Sequence, residues 1–240
     1  MPTMKILFRV LGAILLIFLV HSCKKKENKE NIIEYGSVTD YDSNIYKTVK
    51  IGAQWWMAEN LKVIHYRDGS AIENVTDSSG WASLTTGAYC WYRNDEATYK
   101  ADYGALYNWY TVVDNRNLCP SGWHVPSNDE WVTLGDYLGG PSEAEQKMVT
   151  GKIGFQPVLG GWRSYVCYSV PPCLIFEYLS ERGFWWSSTE KVIYLDPLTV
   201  DKSNALNAGL IVLPQDATFE YGETGPSPKA TGFSVRCIKD

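Results

Sequence analysis

C-P-S-G-W-H-V-P-S-N-D-E-W-V-T-L-G-D-Y-L, from Cys119 to Leu138, decides how the chain folds. Ser127 and Glu130 have capping-box spacing: the hydroxyl takes an early helix N–H, and the carboxylate reaches back to the Ser127 amide. Pro126 stands just ahead and biases Val125 towards an extended backbone. Trp131, Leu134 and Leu138 then recur at i, i+3 and i+7, one apolar stripe on a helix that stops at Gly139-Gly140. Upstream, Cys119 is placed to staple this segment to something distant. A capped, half-buried helix tied down by a thiol is the frame of a small exported domain.

Around it, Tyr46 to Ile51 alternates with period two, Gly52-Ala53 turns, and Gln54 to Leu61 continues the hairpin. Ala88 to Tyr92 reads as an aromatic strand. Arg93-Asn-Asp-Glu96 offers too few oxygens for calcium and reads as a solvated turn. Asp102 is expected to cap a helix through Ala105, Leu106, Trp109 and Val113, and Pro141 to Thr150 a shorter one. Beyond Gly151, short strands carry Phe155, Leu159, Trp162, Tyr165, Phe176 and Phe184 to Trp186. Asp196 to Gly209 reads as a polar, turn-prone run between strands. Thr231 to Lys239 closes the chain as a buried strand.

The first 22 residues read as a signal peptide: Lys5 and Arg9 precede the apolar run Val10 to Val20. That run is shorter than the ~20 residues a spanning helix needs. Val20-His-Ser-Cys23 follows as a lipobox-like site, making Cys23 the expected lipidated residue. Lys24 to Asn31 is too polar to bury and reads as a tether, within a 23–37 linker, reaching at most ~28 Å. Residues 38–240 form the domain. Without Lys5 and Arg9, 20 basic residues face 27 acidic ones, a charge of −7 that argues against nucleic acid as a partner. The expected partner is instead the membrane, through the N-terminal lipid.

Besides Cys23, five cysteines remain, so at least one is unpaired or paired between molecules. Cys119 with Cys237 is the natural long-range bridge and Cys167 with Cys173 a local one, which leaves Cys90 as a buried thiol. No zinc spacing, nucleophile elbow or phosphate loop is present, so no catalytic residue, metal or cofactor is expected.

The stretch C-P-S-G-W-H-V-P-S-N-D-E-W resembles the hallmark of the Fibrobacter succinogenes major paralogous domain. Ile51–Leu61, Tyr103–Trp109, Trp185–Glu190 and Gly232–Cys237 are similar to its other blocks, in the same order. More distantly, V-P-S-N-D-E-W with a terminal G-F-S-V-R resembles the formylglycine-generating-enzyme and C-type lectin-like superfold. The resemblance implies an α+β, C-type lectin-like domain with short twisted antiparallel strands, two main helices and long loops. Its expected role is a non-catalytic binding or adhesion module for a glycan or protein ligand, lipid-anchored in a bacterial cell envelope, at the outer membrane or cell surface. A structural envelope component and a thiol-dependent oxidoreductase are the alternatives. Trp162, Arg163, Tyr165, Trp185, Trp186 and Tyr194 are the expected ligand-facing residues, with core packing as the competing reading. The recognition face is expected on Gly160–Tyr165, Gly183–Trp186 and the Lys191–Ala230 loops.

Overall fold

The computed structural model describes residues 33–164, 175–196, 199–212, 217–220 and 227–240. Cys23, Tyr165, Cys167 and Cys173 lie outside the described residues, as does the side chain of Tyr194. Strand β1 (Tyr35–Thr39) pairs antiparallel with β2 (Ile45–Ile51), and Gly52-Ala53 reverses β2 into β3 (Gln54–Met57). The strand at Tyr35 thus begins inside the stretch read as tether, drawn in by pairing with β2. Next come β4 (Glu73–Asn74), helix α1 (Ser78–Ala82), β5 (Ala88–Cys90), helix α2 (Glu96–Tyr103), β6 (Leu106–Tyr107) and the single turn α3 (Trp109–Val112). Strand β7 (Trp123–His124) leads into α4 (Asn128–Tyr137) and α5 (Pro141–Val149). The remainder is strand: β8 (Gly160–Arg163), β9 (Phe176–Leu179), β10 (Arg182–Asp196), β11 (Thr199–Val212), β12 (Ala217–Glu220), β13 (Ser227–Pro228) and β14 (Ile238–Lys239).

The α+β class is the one expected, with five helices among the described residues rather than two main ones. One sheet runs β1-β2-β3-β14-β7, a second runs β12-β11-β10-β8-β9 with β13 against β11, and a third is β4-β5-β6. The capping box of α4 forms as its sequence dictates: the Ser127 hydroxyl accepts from Glu130 N–H, and Glu130 Oε2 takes the Ser127 amide at 2.7 Å. Its stripe buries Trp131, Leu134 and Leu138 against Trp56, Phe155, Met148 and Trp185. A second cluster gathers Tyr46, Met57, Tyr107, Trp109, Trp123, Trp186 and Phe233.

Two expected elements differ. The helix expected from Asp102 to Val113 is split: Gly104, at φ 73°, ends α2, since a Cβ there would meet the Leu61 carbonyl at 2.6 Å. Asp95, not Asp102, caps α2, and Asn108 caps α3 through the Thr111 amide. Thr199 to Gly209 is no loop either. It belongs to a long hairpin in which β10 and β11 pair from Arg182↔Ile211 to Asp196↔Thr199, so ladder pairing overrides the polar composition.

The C-terminal segment threads the domain. Met57 N–H donates to Cys237 O and Leu61 N–H to Val235 O; Tyr107 and Phe233 exchange both backbone bonds, as do Arg163 and Gly232. The Cys119–Cys237 disulfide, with Cα atoms 6.0 Å apart, ties this segment to the loop before β7.

Closing a loop of 118 residues is worth at most ~5 kcal/mol in the chain-entropy model. The Cys119→Ser, Cys237→Ser double variant is therefore expected to lose up to that much in urea unfolding, and a loss under ~1 kcal/mol would show that the bridge contributes nothing. A pH effect is also expected at His124, whose Nδ1 lies 2.6 Å from Asp240 Oδ1 and whose Nε2 lies 2.9 Å from Glu130 Oε1. Partial burial opposes the imidazolium, but the Asp240 and Glu130 carboxylates outweigh it and raise the pKa. The contribution is thus full below the unfolded value of ~6.5 and fades as pH rises through the higher folded value. Denaturation at a series of pH values should show the stability gap between wild type and His124→Gln shrinking from pH 5.5 to 8.5; a constant gap contradicts it.

Candidate functional site

Of the six expected ligand-facing residues, the structure buries three, Arg163, Trp185 and Trp186. Trp185 and Trp186 are fully buried. Trp185 donates Nε1–H to Asn60 Oδ1 at 2.9 Å and packs on Trp131 and Phe155; Trp186 donates to Tyr107 O at 2.8 Å and lies 4.6 Å from Phe233. Arg163 is buried as well. Its guanidinium gives hydrogen bonds to the carbonyls of Val75, Thr76 and Asp77 at 2.6, 3.1 and 3.1 Å, between the rings of Trp81 and Phe176. These groups hold the scaffold together, because a buried indole N–H or guanidinium needs acceptors and finds them in loop carbonyls. Strand alternation sends Trp162 the other way. It is half-buried, stacked on Phe184 and Phe233 at 5.3 and 6.0 Å, with Nε1 3.3 Å from Glu177 Oε2.

Trp162 leads to a cleft of about 560 Å³ lined by Tyr92, Arg93, Tyr99, Phe176, Glu177, Tyr178, Leu179 and Glu181. One wall starts at Tyr92, after which Arg93 and Asn94 turn through left-handed φ of 53° and 56°. Asp95 then accepts from Thr98 N–H at 3.0 Å and its hydroxyl at 2.7 Å, starting α2. This helix buries no residue, and Tyr99 and Tyr103, four residues apart, share its cleft side. Tyr92 lies 5.3 Å from both Tyr99 and Phe176, each tilted against it. The Asp95 carboxylate, in the turn read from sequence as solvated, is occupied in capping.

The opposite wall is β9 and its turn. Gly161 (φ 61°) lets β8 approach it, since a Cβ there would meet Glu177 O at 2.3 Å. Tyr178 and Ser180 adopt φ of 62° and 63°, and Ser180 Oγ lies 2.9 Å from Tyr103 Oη, linking the two walls. Tyr178 sits 5.7 Å from Trp162, with the Arg182 guanidinium 4.1 Å above its ring. Burial raises the Tyr92 pKa, so its hydroxyl stays protonated at neutral pH. The cleft thus presents aromatic faces with Glu177, Glu181 and Arg93 around them. Sequence reasoning missed it because its walls are some 85 residues apart; the one local signal was the Tyr99–Tyr103 spacing on a helix without an apolar stripe.

Other concavities are poorer. A groove of about 590 Å³ on the far side of α2 is lined by Asn44, Lys62, Glu96, Ala97, Lys100 and Ala101, with no aromatic wall. One of about 290 Å³ runs past Arg67, Asp114 and His124. Cys90 is buried beside Arg163, and burial pushes its thiol up to about 11. Among the described residues no group of His, Cys, Asp or Glu is arranged to hold a metal, and no helix is long and apolar enough to cross a membrane.

Residues 49–239 match the family model described as the Fibrobacter succinogenes major domain. No curated protein and no solved structure shows significant similarity to the chain.

Proposed function

The chain belongs to the Fibrobacter succinogenes major domain family, and from that premise we propose that it is a non-catalytic binding module of a bacterial cell envelope. In this reading the chain is anchored by lipid on Cys23, held off the membrane by Lys24–Asn31, and takes its ligand in the tyrosine-walled cleft. The observation that carries it is the cleft itself: Tyr99, Phe176 and Tyr178 are half-buried aromatics in a concave site, and charged groups stand at its edge. Half-exposed aromatics supply large, rigid contact area at low entropic cost. The left-handed backbone of Tyr178 adds to this, because strain in a non-glycine residue collects at functional sites. An exported address is supported by the Cys119–Cys237 bridge, which belongs to oxidising compartments.

Tyr178→Gly separates function from folding. Glycine tolerates φ 62° without strain, and that relief of ~1 kcal/mol offsets the lost ring contacts. The melting temperature should stay within a few degrees of wild type, while capture of ligand from a glycan or peptide library falls at least tenfold. Unchanged capture would move the site elsewhere. For the anchor, Cys23→Ala is expected to leave an uncleaved precursor or release the protein from the membrane fraction. Mass spectrometry showing an unmodified Cys23 on a membrane-free mature chain refutes it.

A further inference from the structure

We propose that the cleft takes a saccharide, held by stacking and hydrogen bonds without a bridging cation; this rests on reading the cleft as the binding site. Two kinds of ligand suit an aromatic cleft beside a terminal strand: an extended peptide adding to the sheet edge, or a ring that lies on the aromatic faces. Strand β9 ends its sheet and lines the cleft, so strand addition has to be tested first. It fails on backbone geometry. Tyr178 and Ser180 are left-handed, so the extended run is broken after Phe176-Glu177. Two residues cannot template a strand.

Recognition therefore falls to side chains. The rings of Tyr99, Phe176 and Tyr178 are only half-buried, which leaves aromatic surface for the apolar face of a pyranose. Glu177 and Glu181 accept hydrogen bonds from vicinal hydroxyls, and the exposed Arg93 guanidinium donates to hydroxyl or ring oxygens. The carboxylates disfavour phosphate-rich ligands. The Asp95 carboxylate, two residues after Arg93, is committed to Thr98, and no three-ligand cluster stands among the described residues. Affinity is thus expected to come from rings and hydroxyl contacts alone.

The test uses the full-length chain in detergent on an array of neutral and amino-bearing oligosaccharides, with and without EDTA, followed by calorimetry with the best-bound saccharide. Binding should be insensitive to EDTA and fall about tenfold or more in Tyr99→Ala, the loss typical of a central aromatic contact. Glu181→Gln, at an exposed position that leaves folding untouched, should weaken binding several-fold, and Lys62→Ala, on the far side of α2, should leave it unchanged. No saccharide bound by wild type, abolition by EDTA, or indifference to both cleft variants overturns the inference. Should a displayed peptide library be captured instead, and lost in Tyr99→Ala, the saccharide falls while the cleft stands as a binding site. Should no capture depend on the cleft, both readings fall.

Discussion

The backbone of Gly232–Lys239 is the constraint on which the rest of the domain depends. Side chains from Thr231 to Ile238 are buried, yet only the last two residues of the segment form a regular strand. A buried backbone must still place its N–H and C=O groups, and here all three sheets supply partners. Met57 and Leu61 bond to it from the first sheet or its extension, Phe184, Trp186 and Arg163 from the second, and Tyr107 from the third. The Cys119–Cys237 bridge fixes its register near the end. The sequence blocks that carry the family resemblance are the ones that meet here: Trp56 to Leu61, Tyr107, Trp123, Trp185-Trp186 and Gly232 to Cys237. None of them contributes Tyr92, Tyr99, Phe176, Tyr178 or Glu181. The motif blocks therefore speak for the scaffold, and the proposed cleft draws its lining from residues between them.

Three arginines hold the loops that this spine leaves unpaired. Arg67 donates to the carbonyls of Cys119, Pro120 and Trp123 at 2.9, 3.0 and 2.7 Å, fixing the turn before β7. Arg163 does the same for Val75 to Asp77. Arg236, fully buried between Phe155 and Trp185, donates to Asn60 Oδ1 at 3.1 Å and to Gln156 O. A planar guanidinium suits this role because one side chain serves several carbonyls in a fixed fork while its faces lie on aromatic rings. The penalty shows at Arg236, where burial pulls the pKa down to about 9, still above neutrality. Asn60 shares the load. It donates to Tyr103 O at 2.9 Å and accepts from Trp185 and Arg236, so helix α2, β10 and the terminal segment meet on one amide.

This division explains what could be read from the sequence. The α4 capping box and its stripe, the β2–β3 hairpin, the α5 helix and the Cys119–Cys237 pair were legible, because each follows from local spacing or from cysteine placement. The Asp102–Val113 helix was misread because a periodic stripe survives on paper across Gly104, whose φ of 73° is set by the neighbouring Leu61 carbonyl. Arg163, Trp185 and Trp186 were misread for one shared reason. An arginine or tryptophan in a Gly-rich strand looks ligand-facing until its acceptors are known, and those are backbone carbonyls and Asn60, far away in sequence. Trp162, also expected to face ligand, borders the cleft through Tyr178 and Glu177.

The cleft was illegible for a different reason: it is built from strain. Of the six non-glycine residues with left-handed φ among the described residues, Arg93, Asn94, Tyr178 and Ser180 lie in or beside it. Such residues cost ~1–3 kcal/mol each, with asparagine at the low end. Together that is several kcal/mol, the same order as the ~5 kcal/mol ceiling for the disulfide. Helix α2 offsets little of it by burial, since none of its residues is fully buried and Tyr99 packs only partly against the core; it is held at its ends by Asp95 and by the Asn60–Tyr103 bond. The stabilising free energy must come from the spine and its arginine clamps, and the strained loops persist because that scaffold over-determines them. Packing therefore dictates residue identity along Gly232–Lys239, whereas the side chains of Arg93 and Glu181 stand exposed at the cleft. Side chains there can be exchanged without disturbing the core, which is the physical condition for one scaffold to present different binding chemistries.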